Sequence, residues 1–274
     1  MSVEEARGRS ARRAAEQALI RVVENYGECP EFVVLGGLVP ELLCSRSDVP
    51  HAGTTDIDVQ ANLEIECGSA HTLRLEQALR QAAFVPDSDS AWRWTWTDVP
   101  GRAIVKFELF ADLDYAPADR EVAFDECDNL GALNLRGTRF ASEDIEIHQL
   151  QSNLEGARRH VDVRFSGLAG FLLAKCVAAQ RRRLPKDWYD IAFVLLNNDA
   201  GGPADAARAV RRRFSADLPA VRSAIEDLAA NFADVQAQGA LAYADQAAID
   251  DPGLDRVTVL ADAVTAVSEF CDRL

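Results

Sequence analysis

The chain has 274 residues, of which 48% are hydrophobic and 27% charged, and carries a net charge of −15. That is enough chain for one large domain or two modest ones with a sizeable core, and the balance is that of a soluble globular protein. The acidity disfavours indiscriminate nucleic-acid binding, because it repels phosphate backbones, and no apolar run is long enough to span a bilayer.

In chain order, Met1-Ser2-Val3-Glu4-Glu5 lacks the basic-then-apolar order of a signal peptide, so the expectation is a cytoplasmic protein. Residues 2–26 read as a helix, opened by the capping-box spacing of Ser2 and Glu5 and closed at Gly27. Phe32-Val33-Val34-Leu35 reads as a buried strand running into a tight Gly36-Gly37 turn, followed by a short helix over 38–44. A loop over 45–53 leads to an alternating strand over 54–63, then a helix over 69–84. Over 91–97 tryptophan alternates at Trp92, Trp94 and Trp96, which on a strand share one face, as a core stripe or a stacking surface for a ring. Residues 102–112, 135–140 and 160–165 read as further strands. From Ser166 onward the pattern is helical, with breaks at Pro185, Gly201-Gly202-Pro203, Pro219 and Pro252-Gly253. The reading is α+β: a mixed-sheet domain over 1–160 and a helical domain over 161–274.

Neither the six cysteines (Cys29, Cys44, Cys67, Cys127, Cys176 and Cys271) nor the four histidines (His51, His71, His148 and His160) fall at zinc-ligand spacings. Positive charge gathers at Arg158, Arg159, Arg164, Arg181-Arg182-Arg183 and Lys186, with Arg211-Arg212-Arg213 beyond. It reads either as a local basic groove or as solvated helix faces.

The chemistry-bearing pattern is Val33-Val34-Leu35-Gly36-Gly37, then eighteen residues, then Asp56-Ile57-Asp58-Val59. Residues two apart on a strand point the same way, so Asp56 and Asp58 present two hard oxygen donors of the kind Mg²⁺ prefers. A Gly-Gly turn lets backbone N–H groups approach a phosphate, and a helix after it would offer its positive end. In a chain with 44 acids, about seven acid-x-acid triplets arise by chance, and Glu64/Glu66, Asp87/Asp89, Asp112/Asp114 and Asp144/Glu146 are among them. The strand pattern and the upstream Gly-Gly unit distinguish Asp56/Asp58. A third acid is expected from the strand Val105-Lys106-Phe107-Glu108-Leu109-Phe110, where Lys106 and Glu108 share the non-core face. Glu108 is the choice, with Asp112 at the same parity as fallback. In the helical half, Lys175 lies in an apolar helix, and Lys186 and Asp190 share a face in the helix opened by Pro185.

Taken in order, Gly36-Gly37, Thr55-Asp56-Ile57-Asp58, the Lys106–Glu108 strand, Lys175 and Arg183-x-x-Lys186-Asp187-x-x-Asp190 resemble the polymerase-beta superfamily. They are most similar to AbiEii-type (abortive-infection, toxin–antitoxin) nucleotidyltransferases, over residues 32–197. The resemblance implies a nucleotidyltransferase-type sheet domain and a two-metal Mg²⁺ site on Asp56, Asp58 and Glu108. Gly36 and Gly37 would cradle a nucleoside triphosphate, with Thr55, Lys175 and Lys186 also on the nucleotide and Asp190 as an acid or base. The triphosphate would bind between the two domains and give its nucleoside monophosphate to an acceptor hydroxyl, on RNA for a toxin partnered by an antitoxin protein. The alternatives are a small-molecule acceptor, as in antibiotic-modifying relatives, and a non-catalytic binding protein of the same fold. Two positions depart from the family pattern: many relatives have Gly-Ser in place of Gly36-Gly37, and the third acid is usually Asp.

Overall fold

A computed structural model of the protein describes residues 9–61, 69–97, 104–152, 159–251 and 253–274. The Ser2/Glu5 cap, the Glu64/Glu66 pair, Cys67, Arg158 and Pro252 lie outside the described residues. The chain is α+β, with a mixed sheet and a helical part. By packing it divides into two units, Met1–Leu38 with Gly53–Ser166, and Val39–Ala52 with Gly167–Leu274.

The first unit is built on a sheet whose strands are β1 (Val33–Leu35), β2 (Asp56–Gln60), β3 (Val85–Pro86), β4 (Arg93–Thr97), β5 (Ile104–Ala111), β6 (Glu121–Ala123), β7 (Gly131–Asn134), β8 (Ile145–Ser152) and β9 (Arg159–Ser166). The main path runs β3-β4-β5-β2-β1-β9-β8, with β7 joining β5 and β6 joining β7. β2 runs parallel to β5 and antiparallel to β1, and β4 is antiparallel to β5. Alternation sorts the two faces. Ile57, Val59, Val105, Phe107, Leu109 and Trp94 are sealed from solvent on one of them. This face takes helices α1 (Arg9–Tyr26) and α3 (Ser69–Gln81): Arg21 lies over the Trp96 ring at 5.3 Å and Arg80 over Trp94 at 5.5 Å. α1 ends at Gly27, whose φ of 89° continues no helix of L-residues.

The tryptophan stripe is broken in the structure. Trp94 and Trp96 are core, whereas Trp92 precedes β4 and packs 6.0 Å from Phe110, on the side of the sheet shared by Leu35 and Ala141. The strand expected over 135–140 is replaced by β7 at Gly131–Asn134 and a short helix α4 (Arg139–Glu143). The cause is Asp112: its Oδ2 accepts hydrogen bonds from the Gly137 and Arg139 backbone N–H groups at 2.7 and 3.2 Å, and Gly137 takes φ 90°. That capping arrangement ends extended structure.

The second unit begins with α2 (Pro40–Leu43). It continues with α5 (Leu168–Arg182), α6 (Pro185–Asn197), α7 (Pro203–Phe214), α8 (Leu218–Asn231), α9 (Gln238–Asp250) and α10 (Arg256–Asp272). Prolines sit in the first turns of α6, α7 and α8, where a missing N–H costs nothing. Asp199 holds the 39–52 segment to these helices, accepting from Ser45 Oγ at 2.6 Å and Arg46 N–H at 3.0 Å and donating its own N–H to Leu43 O at 2.9 Å. Among the described residues no helix is long and apolar enough to cross a membrane.

Trp94 is fully buried between sheet and helices. Trp94→Ala is expected to lower stability by about 3–5 kcal/mol, read from the urea midpoint of the far-ultraviolet circular dichroism.

Candidate functional site

The sheet face opposite α1 and α3 gathers the charged residues picked out by spacing. In β2 the two aspartates are half-buried and the intervening Ile57 is fully buried. The parallel register sets Asp56 beside Lys106 and Asp58 beside Glu108, while the antiparallel register sets Leu35 beside Asp58. Directly paired residues share a face, so Asp56, Asp58, Lys106 and Glu108 stand side by side. Backbone geometry completes the array. Gly36 has φ 73°, and a Cβ built there would lie 2.7 Å from Asp58 Cγ and 2.9 Å from Asp58 Cβ. Only glycine allows the turn after β1 to press its backbone against the Asp58 carboxylate. A Cβ on Gly37 would similarly lie 2.7 Å from Thr54 Cβ.

Thr54, unmarked by the sequence pattern, sets the entry to β2: its Oγ1 accepts from the Asp56 N–H at 3.0 Å. Thr55 contributes its carbonyl to the Lys106 N–H at 3.2 Å. The turn Gly36–Leu38 is a 3₁₀ turn and α2 has four residues, where the sequence suggested a helix over 38–44. A helix that short develops little macrodipole, so the glycines, and not a helix end, shape this corner.

Arg93 is the second residue missed by spacing. It is paired with Glu108 across β4 and β5, and its Nε donates to Glu108 Oε1 at 2.8 Å. Its guanidinium lies 4.4 Å from the Trp92 ring centroid. Asp112, the fallback acid, is committed elsewhere: its carboxylate takes Arg136 at 3.3 Å besides the two backbone N–H groups.

The second unit brings a different set together. Lys175 Nζ donates to Asp190 Oδ2 at 2.7 Å and to Asp187 Oδ1 at 3.0 Å. Arg182 Nη2 donates to the same Asp187 oxygen at 2.8 Å, and His51 Nε2 lies 3.0 Å from Asp190 Oδ1. His51, Asp187 and Asp190 are wholly buried and Lys175 is 7% exposed. Lys186 is half-exposed in the first turn of α6. Burial alone would pull the Lys175 pKa down, but the Asp190 and then the Asp187 carboxylates outweigh it and hold the ammonium above its ordinary value. His51 escapes sequence reading because it matches no ligand spacing, and Asp187, although part of the Lys186-Asp187-x-x-Asp190 motif, carries no assigned role there. His51 is also far from its partner in sequence, although it packs 5.2 Å from Tyr189 and 5.0 Å from Phe193.

Asp56 and Asp58 supply two hard oxygen donors, and the glycine corner fits against Asp58 as closely as backbone can. Among the described residues no three Asp, Glu, His or Cys side chains are gathered to hold an ion, and Glu108 is bonded to Arg93. No protein family, no curated protein and no solved structure matches this chain.

Two outcomes follow. Gly36→Ala forces a methyl into the Asp58 carboxylate at a positive φ. It should lower the melting temperature and displace Asp58, whereas Gly202→Ala, with open space at its Cβ, should perturb only its own turn; differential scanning calorimetry separates the two. Lys175→Met deprives the buried Asp187 and Asp190 carboxylates of their shared ammonium and should cost about 3–5 kcal/mol in denaturant titration. Because the folded pKa of Lys175 is raised, its stabilisation is full below the unfolded lysine value of about 10.4 and is lost as pH rises through the folded value. Alkaline unfolding of the wild type should therefore contain a component that the methionine variant lacks.

Proposed function

We propose that the protein is a Mg²⁺-dependent nucleotidyltransferase of the polymerase-beta type, transferring a nucleoside monophosphate from a nucleoside triphosphate to an acceptor hydroxyl. The observation that carries this reading is the side-by-side placement of Asp56, Asp58 and Glu108 on one sheet face, with the Gly36 backbone pressed onto Asp58. Asp56 and Asp58 would hold the metal, with Glu108 as third acid. When bound, Mg²⁺ would activate the acceptor hydroxyl and stabilise the departing pyrophosphate. Gly36 orients the Asp58 carboxylate by contact, and Thr54 fixes the strand entry that aims Asp56. Lys106, beside Asp56 in register, supplies positive charge on the face where triphosphate charge would lie. In the helical unit Asp190 is held in orientation by Lys175 and His51.

The pairing of the basic residues bears on the acceptor. Arg182 pairs with Asp187, and Arg183 pairs with Asp227 at 2.6 Å, so part of the basic stretch that would favour RNA is already neutralised by carboxylates. With a net charge of −15, a small cationic acceptor is the favoured second reading beside an RNA-modifying toxin held by an antitoxin.

Incubation with each α-labelled nucleoside triphosphate, Mg²⁺, and either total RNA or a pool of small hydroxyl compounds tests both readings. Label is expected in one acceptor pool and should fall at least 100-fold in Asp58→Asn, with circular dichroism unchanged. Label in neither pool, together with no nucleotide binding by calorimetry, would refute the transferase reading.

A further inference from the structure

We infer that Arg93 is a built-in counter-ion for the candidate metal site, and that a divalent cation and Arg93 compete for Glu108. The inference rests on the proposed metal role of Asp56, Asp58 and Glu108.

Three carboxylates on one face of a sheet repel one another, and a neighbouring positive charge offsets that repulsion. Across the β4–β5 ladder, Arg93 faces Glu108, and Glu108 faces Asp58 across β5–β2. The Arg93 guanidinium therefore stands next to the outermost acid of the row and bonds it at 2.8 Å. An arginine side chain is long and rotamer-rich, and holding it in one geometry costs entropy. Here the Trp92 ring, 4.4 Å from the guanidinium, offers it a face to rest on. Trp92 occupies this place because the alternation of the tryptophan stripe fails one residue before β4 begins, turning this ring toward Phe110 while Trp94 enters the core.

The pair is also exchangeable. The Arg93 and Glu108 side chains are 32% and 14% exposed, so the bond is partly screened and its net strength is modest. By contrast, the Lys175 carboxylate partners in the helical unit are 0% and 1% exposed. A divalent ion brings twice the charge of a guanidinium, and displacing Arg93 would break this screened pair and the Trp92 stack. The third acid is thus masked in the metal-free protein and delivered when the ion arrives. The released guanidinium is then free to move toward the anionic substrate that accompanies the metal.

The test uses the full-length protein and Mn²⁺ alone, with free Mn²⁺ counted by electron paramagnetic resonance. Arg93→Gln is expected to tighten Mn²⁺ binding about tenfold over wild type, and Asp58→Asn to abolish it. A second measurement does not depend on the folding of an Arg93 variant: Mg²⁺ titration of the wild type should change tryptophan fluorescence, and Trp92→Phe should lose that change. Equal or weaker Mn²⁺ binding by a folded Arg93→Gln, or Mg²⁺ that competes with Mn²⁺ yet leaves Trp92 fluorescence unmoved, would overturn the counter-ion role while leaving the metal site standing. Absence of Mn²⁺ binding in both wild type and Arg93→Gln would overturn the metal site and the counter-ion together.

Discussion

The register between β2 and β5 is the constraint on which the site depends. Five consecutive pairs, from Asp56 with Lys106 to Gln60 with Phe110, lock the two strands in parallel. Strand periodicity is two, so this pairing sends Ile57, Val59, Phe107 and Leu109 to the buried face, and with the same stroke sends Asp56, Asp58, Lys106 and Glu108 to the other. A slip of β2 by one residue would bury Asp56 and Asp58 and expose Ile57 and Val59, which no partner present could offset. The hydrophobic effect that aligns the core thereby also aligns the acids, and the precision of the carboxylate row follows from packing on the far side of the sheet. The Gly36 contact refines this further, since the strand edge beside Asp58 carries backbone where any other residue would carry a methyl.

The helical unit solves an opposite problem. Lys175, Asp187 and Asp190 are all nearly or wholly sealed from water, and charges in such surroundings are tolerated only in closed sets. Lys175 and Arg182 supply two positive charges, and Asp187 and Asp190 two negative ones, with His51 closing the far end of the chain of bonds. The fit explains why a lysine sits in an otherwise apolar helix. A lysine donating to two buried carboxylates could reach a phosphate, as the family resemblance implies for it, only by leaving both charges behind; in this structure it holds Asp187 and Asp190 in place.

Much of this was legible in the chain, and the limits are physical. Strands with one buried face, such as β2 and β5, announce themselves by alternation, and the Pro-opened helix α6 by its proline and apolar spacing. Edge strand β8 does not, because Ile145 and Ile147 are exposed, and its apolar residues therefore mark no core face. The misread stretch near Gly137 turns on a carboxylate from Asp112, twenty-five residues earlier in the chain, reaching back to cap it. Likewise, Arg93 and His51 belong to their clusters through cross-strand pairing and a contact spanning 139 residues, and neither has a local signature. Sequence patterns report which face a residue takes; they do not report which partner waits there.

That difference separates the two charged clusters by the work they can do. An ion pair shielded from water holds its geometry because rupture exposes bare charge to a poorly polarisable interior, so Lys175 with Asp187 and Asp190 behaves as a fixed scaffold. A partly solvated pair such as Arg93 with Glu108 can open at small cost, because water compensates each partner as it leaves. Binding energy from a charged ligand can rearrange the second kind and not the first. The sheet face therefore carries the charged pair that a ligand could rearrange, while the helical cluster holds the Asp190 carboxylate in a single orientation.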